Sequence, residues 1–235
     1  MIRFLMAVIV LGVTFSCTEK KHKVSEAKAE IQQYLRSLGH GNYLFGQIGT
    51  WVHKNNPDME HPGNWLYKVY HHTGKWPAYG CITYDFVNNP YTDEAYNAGI
   101  KKMWDQGMIP GIYSWWANPS NPDGEPSSPC EVHKIFEEGE NPVKTNFYTQ
   151  LDRMAANIQQ LSDWGIPVIY TPFVELNHQK KWFGTDGKEN ALNLHRLVHE
   201  YFSRKKDWKT SSGDTTPEAR ASSKPITRAM SMWTS

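Results

Sequence analysis

The sequence predicts an α/β fold of parallel strands, and three observations predict it. Short apolar runs rich in aromatic and β-branched residues alternate with segments whose apolar residues recur at steps of three and four. That alternation is the pattern of parallel strands joined by crossover helices. The first run leads into GQIG (46–49) rather than a GxGxxG phosphate loop, which takes away the main support for an open, doubly wound nucleotide-binding sheet. A long stretch at 117–145, rich in Asn, Pro, Gly and Ser, follows the third run. It favours the competing architecture, a (β/α) barrel, where the loops after strands build the active site.

The elements follow in order. Residues 1–17, MIRFLMAVIVLGVTFSC, have one basic residue, Arg3, then an apolar run from Phe4 to Val13, then Cys17 before a polar stretch. This is the layout of a secretory signal and is too short to span a bilayer. It resembles a bacterial lipoprotein signal over residues 1–16, with Cys17 lipidated as the first mature residue; a plain signal peptide cut near Ser16 is the alternative. Either way the protein is expected to be exported, lipid-anchored in the cell envelope (periplasm or outer membrane) or secreted. From Ser25, Ile31, Tyr34, Leu35 and Leu38 share a helical face that stops at Gly39. Residues 42–52 read as a strand running into a loop, and PAYGCITYDF (77–86) as the second strand. A helix capped by Thr92 places Tyr96, Ile100, Met103 and Trp104 on one face and ends at Gly107. The third strand is 108–116. A helix carrying Phe147, Leu151, Met154, Ile158 and Leu161 closes at Gly165, the fourth strand is 166–173, and a last helix spans about 189–206.

Composition narrows the class of function. The 235 residues carry 25 Lys+Arg against 24 Asp+Glu, a net charge of +1, so the dense basic face that nucleic acid requires is not expected. Ten Trp, 12 Tyr and nine Phe exceed what a core of this size needs, which points to aromatic residues on a binding surface. The chain has three cysteines; export permits a disulfide between Cys81 and Cys130, but a strand and a long loop favour two free thiols. No cofactor or metal is expected, since there is no CxxC and no Cys/His cluster with zinc spacing. His195 and His199 lie four apart, but HRLVHE is not HExxH and reads as a solvated face; His61, His71 and His72 read as a polar loop.

The chemistry gathers where strands end. The C-terminal ends carry Asp85, Trp115–Trp116 and Glu175. Glu175, in YTPFVELNHQKKWFG, sits among apolar neighbours that would favour a protonated carboxyl, as a general acid for glycosidic cleavage requires. Its alternative fate is an ion pair with Lys180 or Lys181. Asp85 assists substrate binding or caps a loop. Trp115, Trp116, Trp182 and Phe183 stand beside these carboxylates in sequence, and about half of the four are expected to face a sugar cleft.

GMIPGIYSWWANP (107–119) and IPVIYTPFVELNHQKKWFG (166–184) resemble glycoside hydrolase family 26, the β-mannanase family, and PAYGCITYDF resembles its second strand. The resemblance covers about residues 40–205. It implies a (β/α)8 barrel of the TIM type, here incomplete with about four β/α units, and retaining hydrolysis of β-linked polysaccharide, usually β-mannan. Residue by residue it implies Glu175 as acid/base, Asn177 as the asparagine that follows it, Trp182 as a cleft aromatic, and Trp115 and Asn118 as the third-strand motif. Trp116 stands where the family usually has His, Val174 where His precedes the acid/base, and Thr171 where Arg is usual.

A retaining pair needs two carboxyls about 5–5.5 Å apart, and the family's nucleophile ends the seventh strand. Only four strands are legible. Residues 17–206 are therefore expected to form a partial barrel, truncated or frameshifted near 207, with no nucleophile in the chain. Eleven of the 29 residues 207–235 are Ser or Thr and show no periodicity, so this tail is expected to be disordered or out of frame. The leading expectation is an exported mannanase-like hydrolase, inactive in this chain if the nucleophile strand is missing, whose partner is a β-linked polysaccharide or oligosaccharide, touching membrane only through its lipid anchor and binding no nucleic acid. The other is a non-catalytic glycan-binding lipoprotein on a degenerate barrel.

Overall fold

The computed structural model describes residues 24–49, 57–87, 91–175 and 181–204. The export signal, Cys17, Asn177, Lys180 and the tail 207–235 lie outside the described residues. Helix α1 (24–37) leads into β1 (Gly46–Ile48), α2 (Trp65–Thr73), β2 (Tyr79–Asp85), α3 (Asp93–Asp105), β3 (Ile109–Trp115), α4 (Pro142–Asp163), β4 (Ile169–Thr171) and α5 (Lys188–Arg204). The four strands form one sheet in the order β1-β2-β3-β4, every pair parallel. A doubly wound sheet reverses its strand order at a switch point. Here the order is sequential throughout, the path of four consecutive β/α units of a barrel.

Strand alternation assigns the two faces. On one, Ile82 and Tyr84 of β2 and Ile112 of β3 are buried with Tyr96, Ile100 and Met103 of α3 in a single core. The Tyr84 ring stacks on Tyr96 at 4.7 Å, and its hydroxyl donates to Asn97. Asn97 in turn donates to the Asn157 carbonyl at 3.3 Å, so a buried polar link joins α3 to α4. On the other face, Tyr79 spans three strands. A Cβ at Gly46 of β1 would come within 2.8 Å of its ring, and one at Gly111 of β3 within 2.1 Å of its hydroxyl. Only glycines on both sides leave room for that ring. Burial in this layer pushes the Cys81 thiol up to about 12, and Cys81 and Cys130 are both free and buried.

Helix ends follow local chemistry. Thr92 accepts from the Ala95 N–H and caps α3, with Asp93 and Glu94 favourably placed in the first turn. Asn141 accepts from the Lys144 N–H at 2.9 Å and starts α4 with Pro142 in its first turn, inside the stretch read from sequence as loop. Helix α2 is also a departure: His71 and His72 are exposed as expected but belong to its last turn, not to a loop. Only Leu66 of α2 is fully buried, so no apolar periodicity announced it; its Asn64 cap and the left-handed Gly74 (φ 69) delimit it. The outer strands are shorter than their apolar runs. Pro167 and Pro172 bracket β4 and cannot donate to a ladder, which limits its pairing to three residues.

Candidate active site

The C-terminal ends of β2, β3 and β4 bring Asp85, Trp115 and Glu175 to one rim. Asp85 and Trp115 are directly paired across the ladder, and β4 stays in register with β3 up to Tyr113–Thr171. Beyond Thr171 the chain turns through Pro172, Phe173 and Val174 to Glu175, a non-glycine residue in left-handed backbone (φ 58). Such a conformation holds only where the surroundings enforce it, and it is enriched at functional sites.

Glu175 does not have the apolar surround expected from its neighbours in sequence. Its side chain is 44% exposed, and its carboxylate lies 3.8 Å from the Lys181 ammonium. The turn lifts it out of the apolar segment that precedes it. The same ammonium lies 3.7 Å from the centroid of the Trp115 ring. Lys181, noticed in sequence only as an ion-pair partner, thus contacts both the carboxylate and the neighbouring aromatic. Its place just before Trp182–Phe183 was the one available signal.

The other aromatics divide differently from expectation. Trp116 is 2% exposed, Trp182 is fully buried, and Phe183 is buried, so Trp115 alone of the four is partly open. Trp116 stacks on Phe86 at 5.2 Å and on Phe173 at 6.0 Å, and its indole N–H donates to the Pro172 carbonyl. Trp182 donates its indole N–H to the Trp116 carbonyl at 3.3 Å and packs edge-on to Phe147. With Phe147 of α4 and Phe173 after β4, these rings form a buried floor beneath the rim. A small cavity between Trp115, Trp116, Pro126, Val174, Lys181 and Trp182 has room for about one water.

Asn118 is an internal brace. Fully buried, it accepts from the Ser120 N–H at 2.9 Å and donates to the Ser128 carbonyl at 2.9 Å. Its loop is pinned to α4 by Gln150, which accepts from the Ala117 N–H at 2.9 Å. A second set of bonds ties the loop to the segment after β4: Trp182 N–H to the Pro126 carbonyl (3.0 Å), Cys130 N–H to the Thr185 hydroxyl (3.0 Å), and His133 N–H to the Asp186 carboxylate (2.7 Å). Burial works against ionisation of Asp186, but the His133 N–H and ring outweigh it and hold its carboxyl below the usual range. Asp85, also buried, accepts from the Val87 N–H at 2.8 Å, the loop-capping arrangement. His195 and His199 are exposed on α5. Among the described residues no group of three or more His, Cys, Asp or Glu could hold a metal.

Parallel β/α units in sequential order, with polar and aromatic residues collected at the strand C-termini, define a (β/α)-barrel-type protein with its site at the rim. The particular family follows: residues 21–211 match the glycosyl hydrolase family 26 profile, and the chain belongs to that family. It is 25% identical over 225 residues to a mannan endo-1,4-beta-mannosidase from Bacillus subtilis (strain 168), covering 85% of this chain and 59% of that relative. In structure it is similar to the GH26 domain of a Prevotella bryantii endo-beta-mannanase/endo-beta-glucanase (23% identity, TM-score 0.60, 76% of this chain and 60% of that one). It is also similar to a beta-mannanase from a symbiotic protist of the termite Reticulitermes speratus, solved with gluco-manno-oligosaccharide (19% identity, TM-score 0.62, 76% of this chain and 58% of that one). The chain spans about 59% of the curated relative's length.

Proposed function

We propose that this chain carries the β3/β4 side of a β-mannan-hydrolysing site, with Glu175 as the general acid/base. The observation that carries the reading is the position of Glu175, at the end of β4 in a chain of family 26, beside the partly open ring of Trp115. A carboxyl there can donate a proton to the glycosidic oxygen as the bond breaks, then take one from the water that follows. Trp115 offers a flat apolar face to the C–H side of a pyranose. Trp116, Trp182 and Asn118 support the rim from beneath, and Asn177 follows the acid/base in sequence. The retaining route needs a second carboxylate about 5–5.5 Å away, and the reading assigns that role to no residue of 24–204. Residues 1–16 act as an export signal with Cys17 as lipid-bearing residue, residues 17–206 form the barrel portion, and 207–235 lie outside it. The site then faces the periplasm or the exterior, where polysaccharide is found.

Reducing-sugar release from β-mannan, β-xylan and mixed-linkage β-glucan tests the activity. Where release occurs, Glu175→Ala is expected to lower kcat by at least about 100-fold, the scale of a lost general acid; unchanged turnover removes the assignment. Palmitate incorporation that disappears in Cys17→Ser tests the anchor. A second reading, a glycan-binding lipoprotein without hydrolysis, is favoured by one observation: Asp85 and Glu175 both engage groups of the chain itself. Binding to mannan without release selects it.

A further inference from the structure

We infer that Lys181 is a built-in competitor for the sugar: its ammonium occupies the face of Trp115 that a pyranose must take to reach Glu175. This inference rests on the glycan-site reading above and adds the residue that sets its affinity.

The geometry identifies which face of Trp115 is covered. One atom, Lys181 Nζ, lies 3.7 Å from the Trp115 ring centroid and 3.8 Å from the Glu175 carboxylate. The covered face is therefore the one turned toward the carboxylate. A sugar stacked on an aromatic ring places its carbons at van der Waals distance, about 3.5–4.0 Å, which is the height of the ammonium. Any sugar presented to Glu175 while stacked on this face needs the volume that Nζ fills, so the two cannot be bound together.

Burial and space reinforce the exclusion. The Lys181 side chain is only 18% exposed, so its stem lies packed along the rim rather than extended into water. With Pro126 and Val174 it narrows the gap between Trp115 and the buried Trp182 to about one water. The contact also satisfies the ammonium twice, by the ring quadrupole and by the carboxylate. A sugar must replace both, whereas a side chain without charge would leave the face open.

Cation–π strengths correspond to an affinity penalty between about two- and thirty-fold, which sets the size of the expected gain on removing Lys181. The test uses the full chain with 15N-labelled tryptophan, the Trp115 indole signal being assigned by its loss in Trp115→Phe. Lys181→Ala is expected to shift that signal in the absence of sugar and to lower the Kd for β-1,4-mannotetraose within that range. Lys181→Arg, which keeps the cation over the ring, is expected to leave the Kd near the wild-type value. A thermal melt by circular dichroism checks that each variant folds. An unmoved Trp115 signal in Lys181→Ala overturns the contact, whatever the sugar does. A moved signal with an unchanged Kd overturns the competition and leaves the glycan site standing. A moved signal with no binding by wild type or variant overturns the glycan-site reading and the competition together, while the Lys181–Trp115 contact remains.

Discussion

The central strands β2 and β3 and the outer strands β1 and β4 are built to different standards. The central pair matches seven residues against seven; each outer strand contributes three pairs and, among the described residues, is bonded on one side only. The central strands are buried nearly throughout, whereas Ile169 at the start of β4 is 39% exposed. The proposed acid/base lies beyond the weaker element. Its position is held less by the β4 ladder than by the loop bonds that join residues 117–135 to 181–186 and by the buried rings below. Rigidity at the rim is thus borrowed from the centre through Trp116 and Trp182.

The largest expected effect tests that borrowing. Trp116→Ala should cost about 3–5 kcal/mol in urea unfolding, as for any large aromatic removed from a core. A change within about 0.5 kcal/mol, typical of a surface site, would return Trp116 to the cleft-facing role its sequence position suggested. Next comes the centre itself. Gly99→Ala should destabilise by about 1–3 kcal/mol, because its Cβ would stand 2.4 Å from the Pro57 carbonyl oxygen and 2.9 Å from Ile82. Helix propensity alone predicts the opposite sign by about 1 kcal/mol, so calorimetry decides between packing and propensity.

A smaller effect belongs to the outer region. Asp186→Asn should cost about 1 kcal/mol at neutral pH by weakening the charge-assisted bonds to His133. Because the folded carboxyl is held below its ordinary value, its contribution is complete above about pH 4 and is lost as pH falls through the lower folded value. Wild type and variant should therefore converge in acid; a constant difference from pH 7 to pH 2 would contradict the linkage. The smallest expected change in stability, within about 0.5 kcal/mol, is that of Ile169→Lys. Its signature is instead lower self-association in light scattering, since a charge on an open edge opposes strand pairing between molecules.

The sequence by itself determined the class of fold and the order of every element but α2. Runs of β-branched and aromatic residues gave the strands, Thr92 and Gly107 bounded α3, and the strand ends located Asp85, Trp115 and Glu175. These are local properties, written in spacing and capping chemistry. Helix α2 was not legible because its single fully buried residue, Leu66, leaves no periodic signal. The start of α4 was hidden in a Pro- and Asn-rich stretch whose Asn141–Pro142 is itself the start signal. What only the tertiary structure decided is which way each rim residue faces. Trp115 and Trp116 are adjacent in sequence, yet one meets Lys181 at the rim and the other is buried on Phe86 and Phe173. Neighbours on a strand point to opposite sides, and which side is core depends on helices and loops contributed from far along the chain. For the same reason Glu175, apolar in its sequence surroundings, stands in the open opposite a lysine six residues on.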